Sequence, residues 1–166
     1  MASRFLEQAQ IVSAFIPVDM QVAQAGDWVS LKGYGKFLCL FFKAVGTAGD
    51  DPVVTLSQAT AVAGTSTKDL DFRYLHVKAG TLTSVGTFTL VDKVTASATY
   101  TDATHAEVAA IYAIEIDAED LDVDGGFDCV QMSVADTGAL AQLGCGLYLL
   151  LDPRYPQETT ESAIVD

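Results

Sequence analysis

Short runs of β-branched, aromatic and aliphatic residues recur along this chain, each closed by Gly, Asp, Pro or Ser. That rhythm, with a turn signal about every 8–12 residues, leaves little room for helices and favours many short strands. In VVTLSQATAV (53–62), Val54 and Leu56 alternate with Thr55 and Ser57. In LDFRYLHVK (70–78), Leu70, Phe72, Tyr74 and His76 alternate against Asp71, Arg73, Leu75 and Val77. A period of two places successive side chains on opposite faces of a sheet. TSVGTFTLVDKV (83–94), ATYT (98–101), VAAIYAIEI (108–116), FDCVQMSV (127–134) and GCGLYLLL (144–151) continue the pattern.

DWVSLKGYGKFLCLFFKAV (27–45) is two apolar runs joined by Gly33-Tyr34-Gly35, which predicts a hairpin. Its Trp28, Phe37, Leu38, Leu40, Phe41 and Phe42 are expected in the core. THAEVAA (104–110) opens with the Thr104-x-x-Glu107 spacing of a capping box and reads as a short helix or a turn. Roughly eight strands result, so the chain is expected to be all-β, an antiparallel β-sandwich or jelly roll with extended N- and C-terminal arms. One domain over residues 11–152 suits a length of 166 residues. Residues 1–10 lack a strand period and form an N-terminal arm, while 153–166, with Pro153 and Pro156, form an extended tail. Phe5, Leu6, Tyr155 and Ile164 are the apolar side chains of those arms, and are the candidates for docking on a partner.

Charge narrows the partners. The net charge is −13, and all of it lies in residues 94–166, where fourteen acidic groups meet only Arg154. Residues 1–93 balance eight acidic groups with eight basic ones. Such a surface repels nucleic acid and anionic membranes and favours solubility, a basic partner or a cation. The three cysteines, Cys39, Cys129 and Cys145, sit in or beside apolar runs without zinc-ligand spacing. They read as buried thiols of a protein made in a reducing cytoplasm. Arg4 and Glu7 interrupt the stretch where a secretory signal would need an apolar core, and no apolar run is long enough to span a bilayer.

The most chemically loaded stretch is DAEDLDVDGGFDC (117–129). Asp120, Asp122, Asp124 and Gly125 fit positions 1, 3, 5 and 6 of a calcium loop, and Asp128 fits position 9. Position 12 is Gln131 rather than the bidentate Glu, and strands rather than helices flank the loop. That excludes an EF-hand and leaves a calcium site on a sandwich loop, with Asp120, Asp122, Asp124 and Asp128 as ligands. The plainer alternative is a long hairpin turn with Leu121 and Val123 inward and the carboxylates in water. Glu115, Asp117 and Glu119 alternate and are expected on one sheet face; His76 and His105 stand beside no identifiable nucleophile. There is no Gly-x-Ser-x-Gly, no phosphate-binding loop and no dinucleotide fingerprint.

Two stretches, AGDWVSLKGYGKFLCLFFKAVGTAGDDPVVTLSQAT (25–60) and DAEDLDVDGGFDCVQMSVADTGALAQLGCGLYLLLDPRYP (117–156), resemble small virion structural proteins of tailed bacteriophages, of the head decoration or capsid cement kind. The resemblance is one of pattern over most of the chain and carries no short catalytic motif. It implies a trimer on the capsid surface that binds the major capsid protein, stabilises the head and catalyses nothing. The alternatives are a tail or baseplate component of the same virion, and a calcium-dependent β-sandwich module that binds carbohydrate through Tyr34, Tyr74, Tyr100 and Tyr112.

Overall fold

The computed structural model describes residues 5–82 and 86–155. In chain order the strands are β1 (Ala9–Asp19), β2 (Gln24–Ala25), β3 (Val29–Ser30), β4 (Tyr34–Lys43), β5 (Val53–Ala59) and β6 (Lys68–Asp69). They continue as β7 (Phe72–Gly80), β8 (Thr89–Ser97), β9 (Thr99–Thr101), β10 (Ala109–Asp117), β11 (Cys129–Val134) and β12 (Leu143–Pro153). The protein is an all-β sandwich of two antiparallel sheets. The first runs β1-β12-β4-β10-β7-β8. The second runs β2-β11-β5-β6, with β3 also on β11 and β9 also on β5.

The core lies between the sheets. From the first sheet come Phe37, Cys39 and Phe41 of β4, Tyr112, Ile114 and Ile116 of β10, and Tyr148 and Leu150 of β12, all buried. Val54 and Leu56 of β5 and Val130, Met132 and Val134 of β11 meet them from the second sheet. Aromatic rings occupy the middle, with Phe37 4.9 Å from Tyr148 and Phe41 5.7 Å from Tyr112, centroid to centroid. Each large side chain so buried contributes roughly 1.5–3 kcal/mol. The buried Tyr148 hydroxyl accepts the N–H of Met132 at 2.8 Å, tying the two sheets together.

Several expectations are corrected by the pairing. Gly33-Tyr34-Gly35 turns no hairpin: β3 pairs with β11 in the second sheet, while β4 lies in the first. The segment between them carries the chain across the sandwich, and Tyr34 starts β4 with its hydroxyl donating to Gln10 Oε1 at 2.7 Å. Trp28 is only half-buried. Leu38, Leu40 and Phe42 leave the core, because their neighbours Phe37, Cys39 and Phe41 take the inward face. In β7 the alternation slips at Arg73–Tyr74, so Leu75 and Val77 are buried while Tyr74 and His76 are exposed. The pairing with β8 shifts register at the same place, the mark of a β-bulge.

Residues 104–108 form a turn, with Val108 N–H donating to His105 O, and not a helix, and Ala109 and Ala110 already belong to β10. At the N-terminal end, pairing starts at Ala9 opposite Leu151, so β1 takes in the last two residues of the expected arm.

Candidate functional site

The acidic segment 117–129 connects β10 in one sheet to β11 in the other, so it is a crossover and not a hairpin. It does so by two 3-10 turns, Ala118–Asp120 and Val123–Gly125. Gly126 ends the second with φ 81°, a left-handed conformation that glycine adopts freely. Leu121 points inward as expected, but Val123 is exposed.

The four candidate ligands do not converge. Asp120 Oδ2 accepts the N–H of Asp117 at 3.0 Å. Asp122 accepts Gly125 N–H through Oδ1 at 3.1 Å and pairs through Oδ2 with Lys68. The Lys68 bond, then the Gly125 N–H, holds the Asp122 carboxyl below its ordinary pKa. Lys68 also sits 4.2 Å over the Phe127 ring. Asp128 pairs with Lys32 at 3.4 Å, and Asp124 lies in the second turn. Among the described residues no group of three or more His, Cys, Asp and Glu side chains is placed to hold a metal ion.

Glu115 and Asp117 share one face but are bridged by Lys36 of β4, at 2.9 and 3.3 Å. Their hydrogen bonds and charge push the Lys36 ammonium up to about 12. Glu119 belongs to the first 3-10 turn. Beside Glu115, a cleft of about 300 Å³ is lined by Asp71, Phe72, Arg73, Tyr74, Ala96, Ile116 and Asp120. Of the four tyrosines proposed as a carbohydrate platform, Tyr34 and Tyr112 are buried, Tyr100 is half-buried and Tyr74 alone is exposed. They form no row.

A buried polar cluster at one end of the sandwich carries no motif and escaped the sequence reading. Asp102 is 2% exposed. Its Oδ1 accepts the N–H groups of Thr104 and His105, and its Oδ2 bonds His105 Nδ1 at 2.8 Å and the Tyr112 hydroxyl at 3.0 Å. Burial alone would raise the Asp102 pKa; the bonds from His105, Thr104 and Tyr112 outweigh it and lower it. The fully buried Lys43 ammonium donates to the carbonyls of Ala106 and Val108. Burial lowers its pKa, against the opposing charges of Asp102 and Asp51. Because these groups satisfy one another, the cluster reads as a structural plug.

The surface that stands apart is the outer face of the six-stranded sheet. An antiparallel sheet with one face on the core normally shows polar side chains on the other. Here the register builds three apolar rows across it. Ile11, Leu149 and Leu38 lie side by side in the first. Leu147, Leu40 and Ala113 form the second, flanked by Ser13 on β1 and by His76 and Leu90 beyond β10. Cys145, Phe42 and Ile111 form the third. Leu147 is 40% exposed, Phe42 44% and Ile11 51%. The Lys36–Glu115–Asp117 group closes the face at one end.

Of the arm residues expected to dock, Phe5, Leu6 and Tyr155 are exposed, and Ile164 lies outside the described residues. Among the described residues no helix is long and apolar enough to cross a membrane. No known protein family, curated protein or solved structure matches the chain.

Proposed function

We propose that this chain is a structural binding protein that catalyses no reaction and works by burying the outer face of its six-stranded sheet in an assembly. The observation that carries the reading is the three-row apolar face, where solvent-facing polar residues belong. Patches of this kind mark interaction sites. Two further features support it. The carboxylates and histidine that would serve chemistry are engaged in structure: Asp122 with Lys68, Asp128 with Lys32, Glu115 and Asp117 with Lys36, His105 with Asp102. The tyrosines needed by a carbohydrate platform are mostly inside.

The resemblance noted in the sequence gives this reading its specific form. The assembly is a phage capsid, the binding partner is the major capsid protein, and the protein is a decoration subunit at the capsid surface, acting as a trimer. The acidic surface keeps a released particle from aggregating, and several copies acting together bind by avidity. The test is to add purified protein to phage heads that lack decoration. Binding together with raised thermal or osmotic resistance is the expected result. Heads that neither bind it nor gain resistance would refute the decoration reading.

A further inference from the structure

We draw no further inference here: the strongest candidate, the acidic cleft where β7 and β10 part beyond their last pair, lined by Asp71, Tyr74, Glu115 and Asp120, carries nothing because it is a cluster of surface carboxylates and nothing in the structure shows what fills it.

Discussion

Replacing Asp102 by Ala tests whether the buried plug is as structural as its bonding indicates. The substitution strips the acceptor from the buried Tyr112 hydroxyl and from the N–H groups of Thr104 and His105. A buried donor left unsatisfied costs about 1–3 kcal/mol. Tyr112, 1% exposed, bears that cost in full, whereas water can reach the two turn N–H groups. Lys43 simultaneously loses its first-ranking counter-charge while its ammonium stays buried. The Tyr112 hydroxyl sets the loss at about 1–3 kcal/mol, with Lys43 adding to it through charge alone, since its hydrogen bonds go to the Ala106 and Val108 carbonyls. With a urea slope of about 1–3 kcal/mol per molar, the midpoint falls by roughly 1 M. Asp102→Asn keeps an acceptor for the turn and is expected to lose less. In a Lys43→Met background the cost of Asp102→Ala is expected to shrink, since one of its causes is gone. The carboxyl is held below its ordinary pKa, so between the two values the unfolded chain binds more protons and stability rises with pH. That contribution is complete above about pH 4 and fades as pH falls through the folded value. A loss under about 1 kcal/mol for Asp102→Ala would show that the cluster is not the plug described here.

Tyr148→Phe leaves the Met132 N–H without its acceptor inside the core, and urea unfolding should show a loss of about 1–3 kcal/mol with the strand signal in circular dichroism unchanged. Gly26→Ala would set a Cβ 2.2 Å from the Tyr148 hydroxyl and 3.1 Å from the Met132 carbonyl; the melting temperature should fall, with a cost at or above the roughly 1–3 kcal/mol of an overpacked core. Excess calcium, followed by chelator, should leave the melting temperature unchanged, because Asp120, Asp122 and Asp128 are spent on separate partners; a stabilisation that Asp122→Asn abolishes would reinstate the loop as a metal site.

The strands were legible because period-two alternation and turn residues report local chemistry. β5, β10 and β11 fall where their patterns lie, and the sandwich follows from their number. What the pattern could not report was direction. FLCLFF is apolar at every position, so nothing in it distinguishes Phe37, Cys39 and Phe41, which fill the core, from Leu38, Leu40 and Phe42, which line the outer face. Unbroken apolarity in an antiparallel strand signals an apolar outer face as well as a core face, without saying which neighbours point inward. The slip at Arg73–Tyr74 depends on a bulge set by the neighbouring strand, and the crossing at Gly33–Gly35 on a partner, β11, that arrives about a hundred residues later. Lys43 carries no such signal: a lysine closing a strand looks solvated until Ala106 and Val108 fold over it.

The position of β12 between β1 and β4 governs how the molecule can be made. β1 is held at the edge of its sheet by β12, which is synthesised long after it, and β11 plays the same part for β2 and β3 in the other sheet. A nascent chain that has reached only β10 therefore has no complete sheet, and its early strands wait with open edges and apolar side chains on both faces. β4, β10, β7 and β8 can pair by then, but both sheets are completed only when β11 and β12 are available, and the long loops that these pairings close slow that step. During that interval the apolar outer face of the six-stranded sheet is a hazard for aggregation, which pairing with β12 relieves.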